Sequence, residues 1–219
     1  MKKRIGKSVV KALFLMAAVL VVVFFILNGF GQPEVHIMAK PVIYLYPEVE
    51  TEVQVKLDYQ GTLTCTYPAY GDGEGWKVTA QPDGTLTDGD GMTYNYLYWE
   101  GVSDVDWDFS QGFCIPGDET ADFLEDALAQ LGLTRQEANE FIVYWLPLME
   151  PNAYNLISFQ DETYTDAAKL HTEPQADTVI RVFMAWKPAE CYEEMQPQQL
   201  SAPQRQGFTL VEWGGCQVE

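Results

Sequence analysis

Histidine is scarce in this sequence, and so is positive charge beyond the first eleven residues. The short signatures of hydrolases and metalloproteins are missing. The imidazoles are His36 and His171. No GxSxG or HExxH occurs, which excludes the nucleophile elbow and the zinc-protease helix. The SxxK at Ser8–Lys11 lies in the cationic head before the apolar run, so it offers no serine–lysine pair to the rest of the chain. A Cys–His pair through His171, in the polar stretch "AAKLHTEP", is the nucleophilic arrangement left open. No CxxC is present, so thioredoxin-type chemistry and the common zinc spacings have no support. No metal ligand set and no cofactor are expected. Five of the 13 basic residues crowd the start, at Lys2, Lys3, Arg4, Lys7 and Lys11; the remaining eight face 32 acids, a net of −24. Such a surface repels nucleic acid and anionic lipid. It attracts cations, basic proteins or cationic polymers, and it keeps an exported chain soluble.

Long apolar runs are absent but for one. Residues 12–27 are all apolar, sixteen in a row, directly behind the cationic head. That order is an export signal. Sixteen helical residues span about 24 Å, short of the roughly 30 Å hydrocarbon core, and Val9 and Val10 extend the run if Lys11 snorkels back to the interface. Two readings stand. A signal anchor keeps the helix in the membrane; a signal peptide is cleaved, with Gly29-Phe30-Gly31 as the small-residue site. Both place the remainder outside the cytoplasm, with the cationic head inside. The protein is then a single-pass cell-membrane protein with its C-terminal domain outside, or it is secreted. The expected organisation is a leader at 1–31, a linker at 32–40 and one domain at 41–219, mainly β over 41–115, then helices and further strands over 116–219.

Cys65, Cys114, Cys191 and Cys216 all follow the leader. An even number in an oxidising compartment predicts two disulfides. Of three connectivities, Cys65–Cys114 with Cys191–Cys216 is favoured, because each bond ties one half of the chain.

"VIYLY" lies between Pro41 and Pro47. Its β-branched and aromatic residues suit a short strand buried on both faces. "TEVQVKLD", "TLTCTY" and "WKVTAQ" alternate apolar with polar, which means strands with one wet face. "DYQG", "YGDGEG", "QPDG" and "DGDG" supply turns between them. With "MTYNYLYWE" they read as an antiparallel meander over 41–100. The period then changes. "GDETADFLEDALAQLG" predicts a helix capped by Asp118 and stopped by Gly132. Thr134 and Glu137 form a capping box for a second helix, which Pro147 kinks or ends. "YNLISF", "TVIRVFMAW" and "FTLVEW" add strands, the last after a polar loop at 188–206. Arg181 alternates with the buried face of its strand and is expected to point to water beside a local acid. The fold class is α+β, a meander or sandwich-like sheet with a two-helix hairpin packed on it.

"KPVIYLYPE", "GWKVTAQPDGTL", "YLYWEG", "EANEFIVYWLPLME" and "RVFMAWKP" resemble a family of exported bacterial proteins of unassigned function, with similar openings in fungal proteins. The resemblance runs from residue 40 onward. It implies a shared fold and export, and no activity.

Carboxylates among aromatics are the chemistry that remains. "YLYWEGVSDVDWDF" sets Glu100, Asp104, Asp106 and Asp108 among Tyr96, Tyr98, Trp99, Trp107 and Phe109. Sugar rings stack on aromatic faces, and acids accept their hydroxyls. Tyr96, Tyr98, Trp99, Glu100, Trp107 and Asp108 are therefore the candidate ligand-binding residues. Their expected ligand is a wall glycan, a peptide or another exported protein. The alternative is a small carbohydrate hydrolase, with Glu100 as acid and Asp108 as its partner. Asp88 and Asp90 sit in a glycine turn that resembles a calcium loop. The third acid is missing and the twelfth loop position is Trp99, so a plain hairpin turn is expected.

Overall fold

The computed structural model describes residues 36–71 and 73–218. The leader and the first part of the linker lie outside these residues. Among the described residues twelve strands form two sheets. The seven-stranded sheet runs β3(Thr62–Tyr67)–β7(Leu97–Ser103)–β1(His36–Tyr46)–β12(Thr209–Gln217)–β11(Thr178–Ala189)–β9(Tyr154–Gln160)–β8(Phe113–Pro116). The five-stranded sheet runs β10(Ala168–Glu173)–β2(Thr51–Tyr59)–β4(Trp76–Ala80)–β5(Leu86–Thr87)–β6(Thr93–Tyr94). Helices α1(Thr120–Gln130) and α2(Arg135–Met149) form the hairpin, and the short α3(Glu162–Ala167) leads into β10.

Three layers result: helices, large sheet, small sheet. The strand patterns explain the order. β1 is apolar on both faces, so it needs cover on both sides and lies inside the large sheet between β7 and β12. Val42 and Tyr44 face the helices, against Phe141 and Trp145. Ile43 and Leu45 face the small sheet, in one core with Val53, Val55 and Trp76. β2 keeps a wet face: Val53, Val55 and Leu57 are buried while Glu52, Lys56 and Asp58 are exposed. It therefore sits in the outer sheet.

The segment 41–100 is thus divided between two sheets and is not a single meander. β11 and β12 are parallel, and a parallel pair needs a long crossover; the polar stretch after β11 supplies it. β1 begins at His36, so residues 36–40, read as linker, are strand. Its register shifts between Ala39 and Val42, where Lys40 takes φ +59°.

The helices depart from expectation at their ends. Thr134 and Glu137 do form the capping box. Asp118 lies in a 3₁₀ turn, Gly117–Glu119, and α1 has no side-chain cap. Pro147 sits inside α2, which continues to Met149. The carbonyl it leaves without a helical partner belongs to Val143, an exposed residue.

All four cysteines are free thiols, which corrects the expected disulfides. Cys65 on β3 and Cys114 on β8 occupy opposite edges of the large sheet. Six strand steps separate them, about 29 Å, and a disulfide needs Cα atoms within about 7 Å. Cys216 is fully buried in the core between the sheets, whereas Cys191 is exposed beyond the end of β11.

Candidate ligand cleft

The aromatic run over 96–108 splits across the large sheet. Trp99 is fully buried toward the small sheet. Its Nε1 donates to Glu212 Oε1 at 3.1 Å, and Arg181 Nε donates to Glu212 Oε2 at 2.6 Å. Arg181, expected at the surface, is only 8% exposed; its guanidinium lies 4.6 Å from the Tyr164 ring centre. The acid it was expected to meet is buried with it. Trp107 stacks on Phe183 at 4.9 Å in the same core. Neither tryptophan offers a face to a ligand.

Tyr96, Tyr98 and Glu100 point the other way. Lys40 Nζ stands 5.5, 5.4 and 5.8 Å from the ring centres of Tyr96, Tyr98 and Tyr144. Burial raises the Tyr98 phenol, and the Glu100 carboxylate beside it raises it further. The cluster is a tyrosine cage already filled by a cation of the same chain. Asp108 is elsewhere. Its carboxylate accepts from Ser110 N–H at 2.7 Å and Ser110 Oγ–H at 3.0 Å, and its main chain is tied to Gln160 on β9. The Ser110 N–H, then the Ser110 hydroxyl, holds the Asp108 carboxyl below its ordinary pKa. β7 and β9 lie four strand steps apart, about 19 Å. A glycosidase pair needs roughly 5–10 Å. The structure therefore does not bring Glu100 and Asp108 together as acid and partner.

An open cleft of about 630 Å³ lies at another place, lined by Tyr67, Trp76, Tyr94, Glu74, Asp88 and Asp90, among others. Tyr67 ends edge strand β3 and is 62% exposed. Its ring stands edge-on to Tyr94, with centres 5.5 Å apart. The Tyr94 hydroxyl donates to Asp88 Oδ2 at 2.7 Å, and Asp88 Oδ1 accepts from the N–H of Asp90 at 3.0 Å and of Met92 at 2.9 Å. Asp88 thus closes the hairpin turn expected at this position. The Tyr94 hydroxyl, then the Met92 N–H, lowers the Asp88 pKa, so it stays ionised at neutral pH. Trp76 Nε1 donates to the Pro68 carbonyl at 2.9 Å and stiffens the wall that carries Tyr67. Lys77 pairs with Glu74 at 2.6 Å across the rim. A second depression, of about 420 Å³, shares Lys77, Val78 and Asp88 and continues over Gln54, Thr79 and Thr87.

This groove offers one open aromatic face, ionised acceptors and a row of hydroxyl and amide groups. Among the described residues no group of three or more His, Cys, Asp or Glu side chains could hold a metal ion. Sequence reasoning finds Asp88 and Asp90 as a turn but misses Tyr67, Trp76 and Tyr94. Tyr67 and Tyr94 lie 27 residues apart in sequence, and each reads there as an ordinary strand residue. Only the meeting of the β3 edge with the β6 hairpin joins them.

No family model matches the chain, and no solved structure matches it. A curated protein from Butyrivibrio fibrisolvens, "Uncharacterized protein in bglA 3'region", is 51% identical over 63 residues. The match covers 28% of this chain and 65% of that protein, so the chain spans just under two thirds of the relative's length. The likeness is to a bacterial protein, in keeping with the resemblance noted above at its coarsest. Among the described residues no helix is long and apolar enough to cross a membrane.

Proposed function

We propose that the chain is an extracytoplasmic glycan-binding module, held at the cell membrane by its N-terminal segment or released by cleavage after it. The ligand groove is the one around Tyr67 and Tyr94. The observation that carries this reading is the exposed Tyr67 ring, braced edge-on by Tyr94 above ionised Asp88. A sugar ring stacks on such a face, and carboxylates accept its hydroxyls. The two joined depressions have room for more than one sugar, which suits a polymer. The leader and the acidity of the domain support a place outside the cytoplasm.

Binding without hydrolysis is favoured by the carboxyls themselves. A general acid needs a raised pKa, while Asp88 and Glu74 in this groove are lowered. The test is calorimetric titration of the full chain with soluble wall-glycan fragments, followed by product analysis. Wild type is expected to bind without releasing products, and Tyr67→Ala to weaken binding at least tenfold. Tyr98→Ala is expected to bind as wild type. Unchanged binding by Tyr67→Ala would move the site elsewhere, and released sugar would make the protein a hydrolase.

A further inference from the structure

The crossover between β11 and β12 runs over β8. The Glu193 N–H donates to Cys114 Sγ at 3.3 Å, and the Gly112 N–H donates to the Gln196 carbonyl at 2.9 Å. Cys191 stands two residues before Glu193, so its backbone lies within about 10 Å of the Cys114 sulfur. Cys191 is exposed and Cys114 is half-buried, so both thiols are accessible to a reagent. Neither has another cysteine within reach. Cys65 is on the far edge of the large sheet, and Cys216 is sealed in the core. Residues 190–208 carry no helix or strand beyond the isolated bridge of Gln196 to Gln111, so a shift of a few ångströms at Cys191 breaks no ladder.

We infer that Cys114 and Cys191 are a redox-sensitive pair that bonds under oxidation and clips the crossover to β8. The reaction is thiol–disulfide exchange with an external disulfide. The Cys191 thiolate attacks one sulfur of the reagent, forms a mixed disulfide and releases one thiolate. The Cys114 thiolate then displaces the second reagent thiolate from Cys191. Two protein thiols lose two protons and two electrons; the reagent disulfide becomes two thiols. The clip lies five residues before Gln196, where the same crossover goes on to line a cleft of about 690 Å³ beside Val179 and Arg181. The inference is independent of the glycan reading.

The test is incubation of the folded full chain with oxidised glutathione, alkylation in denaturant and peptide mapping without reduction. The expected result is a Cys114 peptide joined to a Cys191 peptide, with two hydrogens lost and Cys216 alkylated. Cys191→Ser is expected to form no internal link while keeping the wild-type circular dichroism spectrum. Cys114 and Cys191 both left alkylated, both capped by glutathione, or joined to Cys65 or Cys216 would overturn the inference.

Discussion

Glu212 shows how much a single residue carries. It is fully buried, and it accepts from Trp99 Nε1 and from Arg181 Nε. Removing it strands a cation in the core. Glu212→Leu is expected to destabilise the fold by about 3–5 kcal/mol, while Glu212→Leu with Arg181→Met recovers most of the loss. Urea denaturation of the three proteins checks this. A double variant as weak as the single one would mean that the pair holds something other than its own charge. Cys216 makes a second case. Burial pushes its thiol up from 9.0 to about 12. The unfolded thiol ionises first, so stability present below pH 9 is lost as the pH rises toward 12. Cys216→Ala is expected to flatten that fall in thermal scans above about pH 9. Asp88 has the opposite sign. Its folded pKa lies below the ordinary 3.8, so its contribution is present above that value and disappears as the pH drops through the folded pKa. Carboxyl titration by NMR is expected to place Asp88 below the ordinary 3.8.

At the scale of elements, helix α2 meets the large sheet at Gly215. A side chain on Gly215 would run into Trp145 and the Met184 carbonyl, each at 2.7 Å. Trp145 stands in turn against Trp186, with centres 6.5 Å apart. Trp213, edge-on to Phe141, and Gly215, under Trp145, are therefore a seat for the helix. Gly215→Ala is expected to cost about 1–3 kcal/mol through overpacking, measured by chemical denaturation; a neutral effect would show that α2 can lift away. The longer strands and the two helices of the hairpin were legible in the sequence because their periods differ, whereas β5, β8, α3 and β10, the last holding His171 in what reads as a polar stretch, were not. Alternation in β2 named its wet face, and the doubly apolar β1 carried the mark of a central strand. Their partners were not legible. Nothing local tells β3 to pair with β7 instead of β2, because pairing across long loops depends on which faces remain to be covered. Arg181 was misplaced for the same reason. Alternation put it opposite Ile180 and Val182 correctly, but that side is covered by the second sheet and not by water.

At the scale of the molecule, two cores share one sheet, and the proposed groove lies at its β3 edge. The aromatic–acid run over 96–108 looked like a site because its residues are dense. Packing drew Trp99 and Trp107 inward, let Lys40 fill the tyrosine cage and left Asp108 to close a turn. The groove around Tyr67 was illegible because its parts come from β3, β4 and the hairpin of β5 and β6. The most direct test of the glycan reading is hydrogen–deuterium exchange of the full chain with and without soluble wall-glycan fragments. The account predicts slowed exchange at residues 67–78 and 88–94 and none around Tyr98 and Tyr144. Protection confined to the tyrosine cage, or no protection at saturating fragment, would contradict it.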